Sequence, residues 1–408
     1  MTMDQVIRLR VGSAHAEREE QFPLPAGWRA TVYPPRDGPS LSTDEIGAAF
    51  AQPVGADPIC RSASGARHAA ILVDDFRRPT PAEPLCLAVI EQLLAAGLAK
   101  EQITIILGNG AHRPMTDSEI DARLGAARRC VGSVISHDAF SPEVKFLGLT
   151  PAGTPVLVNG AAVAADFSVS ISTVYPHALV GWGGGAKMVL PGISHVSTIH
   201  YHHVKVAAGP WAGPPGDCTS RSDVEAAARL FGLNACVCAV MSSDRELCGL
   251  SVGDPVLAHR RAVELVRETS DTPVSGEPPD LVIANTYPFD GDGTQWSKAQ
   301  APVKQFGCPV LLINDFADPS TYHGLYDGPL DEYIRREQPQ PPPRTDEQLM
   351  QARMFIYSPQ YGDGFIPQDR SWYGDNDWER LMEAMSRRFG RAAVAVFPAA
   401  PLQIPRVT

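Results

Sequence analysis

Two polar loops that could carry chemistry each follow a short apolar run. Residues 69–73 (AAILV) lead into residues 74–81 (DDFRRPTP), and residues 103–107 (ITIIL) lead into residues 108–116 (GNGAHRPMT). The arginines of the first loop suit a planar carboxylate, because a guanidinium can bind one through two hydrogen bonds. His112 of the second loop can transfer protons near neutral pH. Solvated turns explain the charged doublets on their own, but a histidine between a glycine-rich turn and Arg-Pro favours a functional loop.

A third polar segment combines a histidine, a glycine run and a lysine. Residues 167–174 (FSVSISTV) lead to His177, and a glycine run follows, consisting of Gly183, Gly184 and Gly185. Glycines let backbone N–H groups approach a phosphate or another anion. Lys187 adds a positive charge, or acts as a nucleophile toward a carbonyl or acyl carbon. The spacing is not that of a P-loop, and a flexible turn is the common alternative for such a run.

Several of the 11 histidines lie close together just downstream, at positions His195, His200, His202 and His203. Clustered imidazoles are typical of sites for Zn, Ni, Cu or Fe. A cluster of surface histidines is the alternative for each one singly. We expect at least one of them to be a metal ligand.

The fourth group follows residues 280–284 (DLVIA) and contains Gln295 and Lys298. Residues three apart share one face of a helix, so these two side chains could hold one ligand. Both residue types are also common on solvated helices, which makes the signal weak by itself.

The elements that must position these groups are the strands and helices of a parallel sheet. The runs at 69–73 and 103–107 have the pattern of buried strands, and residues 84–98 between them place apolar side chains on one helical face. A strand–helix–strand unit implies parallel strands, and ligands bind beyond the carboxyl ends of such strands. The first two loops are therefore expected to face one crevice.

The segment at residues 271–279 (DTPVSGEPP) is the best candidate for a domain boundary. The strand pattern restarts after it, so we predict an α/β fold with two domains, each a mainly parallel sheet flanked by helices. The predicted domains are residues 1–270, which bind the cofactor and carry catalysis, and residues 280–408. The last residues are allowed to pack back on the first domain, and the active site is predicted in the interdomain crevice.

The charge balance argues against nucleic acid as a partner. Lys and Arg number 35 against 46 Asp and Glu, which gives a net charge of −11, and the phosphate backbone would repel such a chain. No run approaches the roughly 20 apolar residues of a membrane helix. The first residues lack the apolar core of a secretory signal, so we expect a cytoplasmic protein without membrane partners.

Taken in order, these motifs resemble the nickel-dependent lactate racemase family, the nickel pincer nucleotide 2-hydroxyacid racemases and epimerases. The resemblance spans about residues 70 to 300 and rests on the matching order and spacing of one set of residues: Asp75, Arg78-Pro79, Gly110–Thr116, His177, Gly184–Lys187, Pro191–Ile193, His203, Gln295 and Lys298.

This resemblance implies a cofactor, the nickel pincer nucleotide, which is Ni(II) pyridinium-3,5-bisthiocarboxylic acid mononucleotide. In the family, nickel is held by one ring carbon, two sulfurs and one histidine, and His203 stands at the histidine position. Lys187 stands where a lysine can join the cofactor through a thioamide. Asp75 and the glycine run are assigned to cofactor binding, and proteins of cofactor synthesis are implied as partners.

The resemblance also implies roles around the substrate. His112 and His177 stand at the positions of an acid/base pair, and Arg78, Gln295 and Lys298 at substrate-orienting positions. The expected reaction is racemisation or epimerisation at C2 of a 2-hydroxy acid by hydride transfer through a planar 2-keto acid. This route is reasonable, because a carboxylate resists the second negative charge that C2 deprotonation would create. One histidine takes the hydroxyl proton of each stereoisomer.

Two positions depart from the family pattern. Arg77 stands where threonine is usual, and Thr294 where lactate racemases often have tyrosine. Arg77 would add charge at the substrate, Thr294 would free space, and Asp290 and Asp292 could accept hydrogen bonds from hydroxyl groups. We therefore predict a larger or more polar substrate than lactate, such as a sugar acid or a malate-like acid. An Arg77 that points to solvent, with the pocket unchanged, is the alternative.

Two other functional classes stay open at this point. The histidines and the glycine run would also serve a dehydrogenase or a metal-dependent hydrolase, although no GxGxxG motif follows the first strand. A non-catalytic protein that binds a nucleotide or a metal is the third interpretation. An acid/base pair with Arg78 argues against it, since storage needs no proton transfer.

Overall fold

The computed structural model describes residues 3–12, 16–207, 218–289, 291, 293–316, 322–336, 344–360 and 372–407. The chain forms two compact units. We call residues 38–268 with 322–334 the histidine unit, and residues 1–37, 269–321 and 335–408 the terminal unit, because it contains both chain termini.

The histidine unit is built on a sheet whose strands are parallel except at one edge. The edge strand Leu247–Gly253 runs antiparallel to its neighbour. In spatial order the strands are Leu247–Gly253, Ala235–Met241, Phe167–Thr173, Ala69–Asp74, Ile103–Gly108 and Ser133–Ser136. Two smaller antiparallel pairs are Val144–Leu149 with Pro155–Asn159, and Pro176–His177 with Gly181–Trp182.

Helices cover both faces of this sheet, because apolar clusters lie on each side of it. The α-helices are Thr43–Ala51, Ile59–Ser62, Ala82–Ala95, Asp117–Leu124, Gly160–Val163, Val196–Tyr201, Thr219–Phe231, Leu257–Ser270, Gly324–Asp327 and Leu330–Arg335. Short 3₁₀ turns lie at Lys100–Gln102, Gly125–Cys130 and Gly185–Met188, and a π-helical turn at His202–Val206.

The central strands form where the sequence predicts them, because every side chain of Ala69–Asp74 and Phe167–Thr173 is buried. A strand with both faces covered needs a continuous apolar run rather than alternation. The helix Asp117–Leu124 begins with a capping box between Thr116 and Glu119. That box ends the His112 loop at a fixed point.

The terminal unit contains a second sheet, and all of its adjacent strands are parallel. In spatial order the strands are Trp372–Asp375, Met354–Tyr357, Val310–Ile313, Leu281–Asn285, Ala392–Phe397 and Trp28–Val32. Met3–Val11 pairs antiparallel with Arg18–Pro25, and Asp271–Val274 pairs in parallel with Ile404–Val407. The α-helices are Trp296–Val303, Asp346–Gln351 and Trp378–Phe389, with 3₁₀ turns at Gly293–Gln295, Lys304–Phe306 and Ala400–Leu402.

The fold class predicted from the sequence is confirmed, since each unit is built on a mainly parallel sheet flanked by helices. The change from one unit to the other at residue 269 lies beside the predicted boundary at 271–279. The units differ from the predicted domains in two places. Residues 1–37 belong to the terminal unit, and residues 322–334 to the histidine unit. Among the described helices, none has the length and apolar character needed to cross a membrane.

Candidate active site

The His112 ring is held by the carboxylate of Asp75. The two residues follow adjacent parallel strands, Ile103–Gly108 and Ala69–Asp74, so their loops meet at one sheet edge. His112 Nδ1 lies 2.9 Å from Asp75 Oδ2. The Nδ1–H therefore donates to the carboxylate, and Nε2 keeps its lone pair for a proton. Burial would raise the pKa of Asp75, but the Arg77 guanidinium and the bond from His112 hold it well below its ordinary value.

Arg123 holds the backbone of the loop that carries Arg78. The Arg123 guanidinium donates to Asp74 Oδ1 at 2.5 Å, to the Arg78 carbonyl at 3.0 Å and to the Thr80 carbonyl at 2.8 Å. Thr80 in turn donates to Asp74 Oδ2 at 2.6 Å. These bonds fix the backbone of Arg78, whose guanidinium lies over the Tyr175 ring.

His177 pairs directly with Lys187. The two residues flank the glycine run, and His177 Nε2 lies 2.7 Å from Lys187 Nζ. His177 Nδ1 accepts the Leu179 N–H at 3.2 Å. The two ring nitrogens of His177 therefore contact the Leu179 N–H and Lys187 Nζ, which hold the ring in place.

Buried side chains hold the backbone carbonyls of the glycine run. Arg221, itself 1% exposed, donates to the Gly184 carbonyl at 3.1 Å, and His259 Nε2 donates to the Gly183 carbonyl at 2.9 Å. A Cβ on Gly184 would lie 2.8 Å from the Thr173 carbonyl oxygen, and the Gly184 φ is +77°. Only glycine fits this position without displacing the strand.

His203 is a neutral imidazole at the end of the short helix Val196–Tyr201. Its Nδ1 lies 3.0 Å from the Ile199 carbonyl, so this nitrogen donates and Nε2 keeps its lone pair. Burial lowers the pKa of His203 to about 3, and nearby His202 and Lys187 add to the effect. A neutral imidazole with a bare nitrogen is the form that binds metals.

His202, the neighbour of His203, belongs to a buried hydrogen-bond network. Its Nδ1 lies 2.8 Å from Asp223 Oδ2, and Asp223 also accepts from Thr150 and Thr154. His202 Nε2 is buried and has no hydrogen-bond partner among the described residues. A histidine backed by a carboxylate is a common arrangement beside metal centres.

Four of the residues predicted from sequence thus form one cluster in the histidine unit. His177 contacts Lys187, and both Lys187 and His112 act electrostatically on His203. A fifth residue joins them from a distant part of the chain. His323 packs against His112 edge to face, with ring centroids 5.2 Å apart.

Comparison with known proteins agrees with the resemblance. Residues 15–213 match the lactate racemase N-terminal domain. The lactate racemase of Lactiplantibacillus plantarum is 27% identical over 293 residues, which cover 67% of each chain. That of Thermoanaerobacterium thermosaccharolyticum is 26% identical over 69% of this chain and 68% of its own. The chain is similar to the lactate racemases over about two thirds of its length. It is accordingly an enzyme of the isomerase class, a racemase.

Solved structures support the fold of this protein. The lactate racemase apoprotein from Thermoanaerobacterium thermosaccharolyticum superposes with a TM-score of 0.69 and 19% identity, over 98% of this chain and 100% of that chain. A protein from Thermotoga maritima gives a TM-score of 0.66 and 16% identity, over 91% and 100%. At these identities the likeness concerns the fold alone.

The remaining predicted residues have separate outcomes. Gln295 and Lys298 lie in the terminal unit, where Gln295 precedes the helix Trp296–Val303 and Lys298 lies in its first turn. Their substrate-binding role stays a prediction. Thr294 accepts a hydrogen bond from Gln295 Nε2 at 2.9 Å. Asp290 and Asp292 lie outside the described residues.

The other histidines of the cluster are placed differently from His203. His195 caps the helix Val196–Tyr201 by accepting the Ser197 N–H, and His200 is exposed on that helix. Sequence reasoning did not find the partners Asp223, Arg221 and His323. No local motif marks them, and only the tertiary fold brings them to the site.

Proposed function

We propose that this protein racemises or epimerises a 2-hydroxy acid at C2 with a nickel pincer nucleotide as its cofactor. One observation supports this most. His112 and His177, each held by a polar partner, lie in the same unit as His203, which is a buried, neutral imidazole. His112 is fixed by Asp75, and His177 by Lys187. A racemase needs a proton acceptor for each stereoisomer, and a metal cofactor needs a neutral imidazole.

The residues present fit the nickel cofactor. His203 offers Nε2 because its Nδ1 donates to the Ile199 carbonyl, and Lys187 lies near enough to act electrostatically on it. The resemblance implies only one protein ligand to nickel, the histidine at position 203. The part of the chain that the structure describes contains no group of three or more His, Cys, Asp or Glu side chains arranged to hold a metal. When bound, the cofactor would supply reversible acceptance of the C2 hydride.

The chain's own residues would manage the proton and the orientation. One histidine, His112 for one stereoisomer and His177 for the other, takes the hydroxyl proton as the C2–H bond breaks. The other histidine, in its protonated form, then gives a proton to the product oxygen when the 2-keto acid is reduced on its opposite face. Arg78 would hold the carboxylate through its planar guanidinium, and Gln295 and Lys298 would complete its orientation.

The substrate class is the finer part of this proposal. Thr294 in place of a large aromatic residue frees space, which favours a sugar acid or a malate-like acid over lactate. Arg77 gives less support than its sequence position suggests, because its side chain is buried and pairs with Asp75. A panel of enantiopure 2-hydroxy acids, followed by chiral chromatography, ranks the substrates. Lactate turning over fastest would contradict the polar-substrate proposal.

The acid/base pair is tested in the enzyme loaded with its cofactor. His112→Ala and His177→Ala should each lower kcat by roughly 10²–10⁴-fold, the usual contribution of general acid/base catalysis. Bound nickel, measured by mass spectrometry of the metal, should stay at the wild-type ratio. His68→Ala is the control, since His68 is exposed. Near-normal turnover in both variants would exclude this mechanism.

A further inference from the structure

One carboxylate oxygen of Asp75 accepts hydrogen bonds from two partners. Its Oδ2 accepts from His112 Nδ1 at 2.9 Å and from Arg77 Nη1 at 2.9 Å. Both bonds are charge-assisted, because burial does not prevent the carboxylate from staying ionised. The direction of the Asp75 carboxylate, and with it that of the His112 ring, therefore depends on Arg77.

Arg77 is not a solvent-facing residue. It is 1% exposed, and its guanidinium carbon lies 4.4 Å from the centroid of the Phe76 ring. A charge is buried in this way only when a partner compensates for its lost hydration, and Asp75 is that partner. The contact also accounts for the departure from the family's threonine, because a hydroxyl group carries no charge to balance a buried carboxylate.

We propose that Arg77 is a positioning residue, which orients the acid/base histidine His112 through the carboxylate of Asp75 rather than by contact with substrate. This inference rests on the proposed function of His112. Asp75 fixes the tautomer with Nδ1–H, which places the ring's lone pair on Nε2. Arg77 keeps the carboxylate from rotating away and balances its charge, so the ring stays in line with the hydroxyl that it must deprotonate.

The test is a double-mutant cycle on the enzyme loaded with cofactor. Arg77→Thr, which restores the family residue, should lower kcat about 10- to 100-fold and change KM less than threefold. Arg77→Lys should recover a large part of the loss, because an ammonium also pairs with a carboxylate. In the Asp75→Asn background, Arg77→Thr should change kcat less than threefold, because the carboxylate through which Arg77 acts has already been removed.

The double variant also answers the question of folding, because neither buried charge is left without its partner in it. Circular dichroism and nickel content verify that each variant is folded and loaded with cofactor. The matched control is Arg128→Thr, which removes an exposed ion pair with Asp117 and Asp121. Additive losses in the cycle would overturn the proposal, and so would a raised KM with unchanged kcat, which indicates contact with substrate. Full turnover of His112→Ala would instead remove the proposed function itself.

Discussion

Lys187 has the contact that a nucleophilic amine requires. Its Nζ lies 2.7 Å from His177 Nε2, and the Leu179 N–H occupies the other ring nitrogen. The deprotonated amine would attack a thiocarboxylate carbon of the cofactor and form a thioamide, with the oxygen of that group leaving as water.

We therefore expect a covalent adduct on Lys187 when the protein is made together with the proteins of cofactor synthesis. The intact mass of the wild-type chain should exceed that of the chain made without them, and the difference should be absent in Lys187→Ala. His200→Ala, which changes an exposed histidine, should keep the adduct. Identical masses for the wild type under both conditions would show that no covalent bond forms.

Residue types and order predict the candidate groups here, but not their partners. His112, His177, Lys187 and His203 follow from motifs whose spacing resembles that of the family. The placement of the Arg77 side chain does not follow from the motifs, because the same sequence is compatible with an exposed arginine and with a buried ion pair to Asp75. That choice depends on the free energy of burial, which neighbouring elements decide.

At the scale of elements, the turn at His202–Val206 is π-helical and directly follows the α-helix Val196–Tyr201. Such turns are rare and occur often at functional sites. Asp223, from the helix Thr219–Phe231, anchors the turn through His202. Burial would raise the pKa of Asp223, but the bonds from His202, Thr150 and Thr154 lower it overall, so the anchor is an ionised carboxylate.

This anchor should matter for metal affinity. Asp223→Asn and His202→Ala loosen the turn that carries His203, and we expect nickel affinity to fall about 10- to 100-fold, as for other groups that support a metal ligand. Nickel retained after dialysis against a chelator measures the effect. Asp117→Asn, at an exposed carboxylate, should retain nickel like the wild type. Equal retention in all three variants would show that the anchor does not support the ligand.

The elements themselves were the easiest part to predict. The strand expected at 69–73 is Ala69–Asp74, and the strand expected at 103–107 is Ile103–Gly108. Both are fully or largely buried apolar runs, whose pattern is set by local sequence. The π-helical turn has no such pattern, because its register depends on a carboxylate from another helix.

At the scale of the whole molecule, the stability should depend on pH through buried histidines. Burial lowers the pKa of His137 to about 4. The hydrogen bond to the Ser194 carbonyl and the charge of Asp138 raise this pKa in part, and His195 lowers it. The ordinary value is 6.5. The unfolded chain therefore takes up a proton first as the pH falls.

The contribution of His137 is thus complete above about pH 6.5 and is lost as the pH falls toward about 4, by about 3 kcal/mol in the limit. His137→Asn should be less stable than the wild type at pH 7.5, and the difference between their thermal midpoints should shrink at pH 5. Exposed His68→Asn should show no such change. A constant difference for His137→Asn across this range would contradict the assignment.

The division of the chain could be predicted only in part. The proline-rich segment at 271–279 lies beside the change of unit at residue 269, although its first residues form the strand Asp271–Val274. Residues 1–37 and 322–334 each belong to the other unit than the one predicted, because they pair with distant parts of the chain. Trp28–Val32 joins the sheet beside Ala392–Phe397, and the Gly324 N–H bonds to the Ala111 carbonyl at 2.7 Å. Nothing in either short sequence indicates its partner.

During synthesis on a ribosome, Trp28–Val32 emerges long before its partner strand is made. Val32 is in register with Val396, so that edge of the sheet stays open until residue 396 has been made. The loop of His112 likewise waits for Gly324, which is made much later than Ala111. The site around His112 is therefore completed only after Gly324 has emerged, and a chain cut short before residue 392 leaves Trp28–Val32 without the strand that pairs with it.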